Sequence, residues 1–204
     1  MAEIINVSAV PGETPLKDAS GLIPKHVRTQ SGLNLAEYQN INKVLPKYFL
    51  KKVSDKKAPF TAAWLCKLHE EMFGEVWEWA GKKRETELSI GVRAHKIAGE
   101  LHRLQVEICR WEESEDPPIG IAAKIHHRLV WIHPFYGGNG RWARMAADIY
   151  LRKKDLAPVA WPDDPALVGS SFRKKYIQAL KSADDGDFSK IIDLHKLHNS
   201  KEQP

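Results

Sequence analysis

The sequence predicts an all-α protein: a helical bundle interrupted by one short β excursion. Three observations carry that expectation. Apolar residues recur at spacings of three and four through most of the chain. Proline, glycine and acidic clusters fall mainly between those stretches. Only Thr86 to Val92 alternates polar with apolar residues in the period of a strand. A chain of 204 residues is most simply one domain with a core of its own. Its hydrophobic share of 43% and charged share of 28% suit a globular fold, and seven tryptophans supply large packing anchors.

The elements follow in order. Residues 1–24 are rich in proline, glycine and small polar residues and read as an extended arm. The arm is bounded at 1–34, the core at 35–198 and a tail at 199–204. Asn34 to about Lys52 has helical spacing, with Pro46 expected to kink or split it. Phe60 to Phe73 is a clearer amphipathic helix, bearing Trp64, Leu65, Leu68 and Met72 and capped by Gly74. Thr86 to Val92 reads as a strand or short hairpin. Helical periodicity resumes over Ile97 to Trp111, where Leu101, Leu104, Ile108 and Trp111 share a side. An acidic, proline-containing junction (Glu112 to Pro118) precedes a helix over Ile119 to His133. Another is expected over Asn139 to about Lys154, then a loop at Pro158 to Pro165. Helices near Ala166–Lys181 and Phe188–Leu197, divided by Asp184-Asp185-Gly186-Asp187, close the chain.

Composition also excludes some classes. The formal charge of +5 suits an anionic partner, but the lysines are scattered in the manner of solvated helix ends. Nucleic acid is not the expected partner, because zinc-finger spacing, RNP-type aromatics and a long basic stripe are all missing. No apolar run is long enough for a bilayer, and the first residues lack the pattern of a signal peptide. Cys66 and Cys109 have no CxxC spacing and are expected to be reduced. No membrane contact is expected, and the cytoplasm is the expected address.

The run His133-Pro-Phe-Tyr-Gly-Gly-Asn-Gly-Arg-Trp-Ala-Arg144 carries the chemistry. Pro134 and Phe135 would end the incoming helix just after His133. Gly137, Gly138, Asn139 and Gly140 allow backbone with positive φ. Arg141 and Arg144 then share one face of the next helix. A glycine-rich turn opening a helix aims N–H groups and a positive dipole end at one point, where phosphate is the natural occupant. A histidine near its ordinary pKa of about 6.5 could serve there as a base.

This run resembles the signature of the Fic-domain family, His-x-Phe-x-(Asp/Glu)-(Gly/Ala)-Asn-Gly-Arg-x-x-Arg. Every fixed position matches but one: Gly137 stands where the family has an acid. The resemblance implies a Fic fold with a β-hairpin flap over the active site, and transfer of AMP from ATP to a target hydroxyl. His133 would be the base. Gly138, Asn139 and Gly140 would form the anion hole, and Arg141 and Arg144 would hold the triphosphate. Residues Glu85, Thr86, Glu87, Leu88, Ser89, Ile90, Gly91 and Val92 match the flap that docks an extended target segment. The target would be a protein bearing a Ser, Thr or Tyr hydroxyl. The family acid binds Mg²⁺, which glycine cannot do, so no direct metal ligand is expected; Mg²⁺ or Mn²⁺ would ride on the nucleotide. The segments Glu13-Thr-Pro-Leu, Gly21-Leu-Ile-Pro and Thr86-Glu-Leu-Ser-Ile-Gly also resemble a small bacterial branch, mobile mystery protein B.

Many family members carry an inhibitory helix of pattern (Ser/Thr)-x-x-x-Glu-(Gly/Asn). No glutamate here has Ser or Thr four residues before it; Glu37 follows Leu33 at that distance. Arg144 would then be uninhibited, or restrained by another chain. Two rival functions stand beside AMP transfer. One is a Fic enzyme with a different donor or AMP-removing activity. The other is a catalytically weak nucleotide-binding module.

Overall fold

The computed structural model describes residues 19–27, 29–161 and 171–199. Among these residues seven α-helices run in the expected order: α1 Gln30–Phe49, α2 Ala62–Phe73, α3 Ile97–Glu112, α4 Pro118–Ile132, α5 Asn139–Lys153, α6 Ser171–Asp184 and α7 Ser189–Asn199. A 3₁₀ turn, Ala94–Lys96, leads into α3. Much of the expected arm, and the segment 162–170 that includes the expected start of α6, lie outside the described residues.

Local chemistry explains the helix ends. The Thr29 hydroxyl accepts from Gly32 N–H at the start of α1, and Thr61 accepts from Trp64 N–H at the start of α2. Pro46 lies inside α1, which continues through it, so of the expected kink or split the split does not occur. Gly74 ends α2 as expected, but for want of space: a Cβ there would sit 2.6 Å from the Glu70 carbonyl oxygen. Pro118 opens α4 at a position where its missing N–H costs nothing.

Helices α4 and α5 form the central pair, with α1, α2 and α3 around them. Leu65, Leu68, Leu101, Leu104, Ile125, Leu129, Ile132, Trp142 and Ile149 fill the main core. Trp142 is fully buried and donates its indole N–H to the Leu65 carbonyl at 2.9 Å, locking α5 to α2. A second cluster, built on Ala123, Ala179, Ala183, Ile191 and Leu194, holds the α6–α7 pair against α4. Residues 22–27 also join the fold. Leu22 and Val27 are buried, and Leu22 makes an isolated antiparallel bridge with Trp77.

The expected hairpin at 85–92 is not a hairpin. No strand occurs among the described residues, and this segment is a loop. Arg84 gives the reason. Its buried guanidinium donates to the carbonyls of Thr86 at 2.9 Å, Val92, and His133 at 2.8 Å. Carbonyls that would face a partner strand turn inward to a cation instead. Gly91, at φ +97°, departs from strand geometry as well. Alternating polarity therefore marks a loop clasped from within.

Candidate active site

The segment from His133 to Gly138 joins the two central helices, and Asn139 to Arg144 form the opening turns of the second. His133 caps α4 in the left-handed region, φ 51° and ψ 60°, its N–H bonded to the Leu129 carbonyl. Nδ1 lies 3.3 Å from the Val130 carbonyl. A carbonyl can only accept, so Nδ1 carries the proton and the basic lone pair falls on Nε2. Burial is the main force pushing this histidine down to about 4; the Val130 bond opposes it, and the charge of Arg84 adds to it. The ordinary value near 6.5 expected from sequence does not hold here. The imidazole is neutral at pH 7.

Gly91 brings the loop onto this histidine. A Cβ at Gly91 would stand 2.5 Å from the His133 Cβ and 3.0 Å from an Arg84 nitrogen. The other loop residues lie around that contact. Glu85 N–H donates to the Tyr136 hydroxyl at 3.3 Å, and the Glu87 carboxylate accepts from Ala94 N–H at 3.2 Å. Thr86, Ser89 and Ile90 are exposed, whereas Leu88 and Val92 are half-buried. Arg84→Met should cost about 3 kcal/mol or more, because three carbonyls lose one shared donor group. Urea unfolding measures this directly. A loss below about 1 kcal/mol would show that water replaces the guanidinium without penalty.

The glycine turn is held from three sides. Gly138 takes φ +72°, and a Cβ there would come within 2.6 Å of the Phe73 ring. It alone of the Gly137–Gly140 run uses positive φ, a narrower use of glycine than expected. The buried Asn139 amide accepts from Phe135 N–H at 3.0 Å and donates to the Phe135 carbonyl at 2.8 Å. Its side chain therefore shapes the turn, a task the sequence reading assigned only to phosphate contact. His69 supplies the third hold, which the sequence reading missed. Its Nδ1 accepts from Gly81 N–H at 3.0 Å, so Nε2 donates to the Gly137 carbonyl at 3.0 Å. It stacks on Phe135 with ring centres 3.7 Å apart, and burial pushes it down to about 3. The turn then opens α5, whose first N–H groups have no acceptor within the helix.

The arginines differ in their surroundings. Arg141 donates to Glu37 at 2.8 Å and lies over the Phe73 ring, with a third of its side chain exposed. The other Glu37 oxygen accepts from Trp77 Nε1 at 2.8 Å. Arg144 lies over the Trp161 ring at 5.8 Å. Glu37 thus meets the first signature arginine, a contact that no local pattern announces. Asp148 is buried and accepts from Val159 N–H at 2.9 Å, which ties the segment after α5 to that helix.

The residues at Gly137 do not fit a metal ligand. Glycine offers no carboxylate, and its carbonyl already accepts from His69. A Cβ there would stand 3.1 Å from Cη2 of Trp79, whose ring stacks on Trp77 with centres 4.9 Å apart. Among the described residues no group of three His, Cys, Asp or Glu side chains is placed to hold a metal ion.

The Fic/DOC family profile matches residues 59–151, which take in α2 through the signature helix. The chain belongs to the Fic/DOC family. Over 142 residues, 67% of this chain, it is 30% identical to the proteins named protein adenylyltransferase Fic of Drosophila yakuba and Drosophila melanogaster. It spans only 27% of their length. Among solved structures, Fic-1 of C. elegans (residues 134–508) superposes with a TM-score of 0.64 at 23% identity, over 88% of this chain and 52% of that one. BepC of Bartonella tribocorum with bound AMPPNP gives 0.65 at 18% identity, over 88% and 92%. These likenesses establish the Fic fold, and the all-α expectation holds apart from the loop in place of the hairpin.

Proposed function

We propose that this Fic domain is a protein adenylyltransferase that takes AMP from ATP. One observation carries the reading: an imidazole with its lone pair on Nε2 caps α4 beside the glycine turn that opens α5. The target hydroxyl attacks the α-phosphorus, its proton passes to His133 Nε2, and the bond to the β-phosphate breaks to release pyrophosphate. The N–H groups opening α5, from Asn139 to Arg141, receive phosphate oxygens, with Arg141 and Arg144 at the far phosphates. The loop at 85–92 meets the target chain through its exposed residues, Thr86, Ser89 and Ile90 among them. Mg²⁺ or Mn²⁺ would be carried by the nucleotide and would help neutralise phosphate charge, with no direct ligand from position 137. The names of the Drosophila relatives and the AMPPNP of the Bartonella neighbour support the choice of nucleotide.

A second reading, a nucleotide-binding module, draws on the glycine at 137 and on the engagement of Arg141 by Glu37. Incubating the chain and a cell lysate with ATP labelled at either the α- or the γ-phosphorus separates the two. Protein labelled from the α position alone is the expected result. Label from the γ position would mean kinase chemistry, and ATP binding without either label would leave the binding module.

A further inference from the structure

Behind the phosphate turn lies a buried polar chain that the mechanism above does not use. His126 of α4 and His195 of α7 are fully buried, with His126 Nδ1 3.1 Å from His195 Nε2. His126 Nε2 lies 2.8 Å from the hydroxyl of Tyr176 on α6. Trp161 packs edge-on against both imidazoles, at 5.4 and 5.0 Å between ring centres. Burial holds both histidines far below their ordinary value, His195 at about 3, so each carries one ring proton. The Tyr176 hydroxyl ends this chain 3.9 Å from where a Cβ on Gly140 would stand.

We infer that Tyr176 is a phosphate-binding residue of the nucleotide site, its O–H turned toward the Gly140 turn by the His195–His126 pair. The inference rests on the nucleotide reading above. Two proton arrangements satisfy the pair of bonds. If Tyr176 donates to His126, then His126 Nδ1–H donates to His195 Nε2, and the proton of His195 falls on Nδ1. That atom is buried and has no partner among the described residues. A buried N–H left without an acceptor is less tolerated than a buried lone pair left without a donor. In the opposite arrangement His195 Nε2–H donates to His126 Nδ1, and His126 Nε2–H donates to the phenol oxygen. The orphan is then only a bare lone pair, and the Tyr176 O–H is left to donate elsewhere. An anion beside Gly140 selects the same arrangement, since it attracts an O–H and repels a bare oxygen. The positive charge of Arg144 acts on both Tyr176 and His126, which places that arginine beside the relay.

Nitrogen-15 NMR of the imidazoles in the unliganded protein reads the arrangement directly: protons on Nε2 of both His126 and His195 are expected, and protons on Nδ1 would overturn the inference. Calorimetry of Tyr176→Phe against ATP, ADP, adenosine and pyrophosphate tests the contact. A charge-assisted hydrogen bond predicts about tenfold weaker binding of the phosphate-bearing probes, with adenosine within about twofold of the parent. Equal loss for adenosine and ATP would place Tyr176 against the nucleoside and overturn the assignment. If the parent binds pyrophosphate but not ATP, and Tyr176→Phe weakens pyrophosphate, the nucleotide reading fails while the phosphate contact stands. Tyr176→Phe without effect on any phosphate-bearing probe removes the contact itself.

Discussion

Replacing His133 should lower AMP transfer by about 10²–10⁴-fold, the usual contribution of a positioned base, with ATP affinity nearly unchanged. The choice of substitute matters. At φ 51° and ψ 60°, alanine would sit where an L-residue pays about 1–2 kcal/mol, whereas asparagine tolerates that region. His133→Asn is therefore the cleaner variant: it removes the imidazole and preserves the cap. His133→Ala should match it in rate but melt at a different temperature. The pH profile supplies a second test. A base works only when neutral, so kcat/KM is lost as pH falls through the pKa of the free protein. With that value pushed down to about 4 by burial, activity should stay level through pH 6.5 and decline only toward pH 4. An acid limb near 6.5 would mean that the imidazole is solvated in the working enzyme. Undiminished transfer by His133→Asn would remove His133 from the chemistry altogether.

Much of this site is legible because its chemistry is local. His133, the glycine turn and both arginines fall within one run, and proline and glycine punctuation places its two helices within a residue or two. The supports are a different matter. His69 reaches Gly137 across 68 positions, His126 reaches His195 across 69, and Glu37 reaches Arg141 across 104. One sequence carries no record of such pairs; each of these residues alone reads as an ordinary helix position. The loop at 85–92 shows a different failure. Its alternation describes which side chains face inward, and a strand and a clasped loop can share that pattern. A buried arginine decides between them, and nothing around Arg84 in the sequence distinguishes it from the solvated Lys82 and Lys83 beside it.

The position of the missing acid gives the second large effect, and it requires two substitutions. Gly137→Asp alone should not restore a metal-dependent enzyme. Its Cβ alone would meet Trp79 at 3.1 Å, closer than an ordinary van der Waals contact. Trp79 cannot retreat freely, since it stacks on Trp77 and meets Tyr136 edge-on. Overpacking of this kind costs about 1–3 kcal/mol, so the single variant should melt lower and gain little activity. Adding Trp79→Ala opens the space. The double variant should then exceed the single one by about tenfold or more in AMP transfer, since a ligated cation stabilises transition-state charge by several kcal/mol. It should also bind Mn²⁺–ATP more tightly than ATP alone, by a larger margin than the parent does. Trp79→Ala by itself should change neither property. Should Gly137→Asp alone match the double variant, the indole is no barrier and the crowding at 3.1 Å relaxes cheaply. Should neither variant gain, then a carboxylate at this turn does not limit the reaction, and phosphate neutralisation rests on the arginines and the α5 N–H groups.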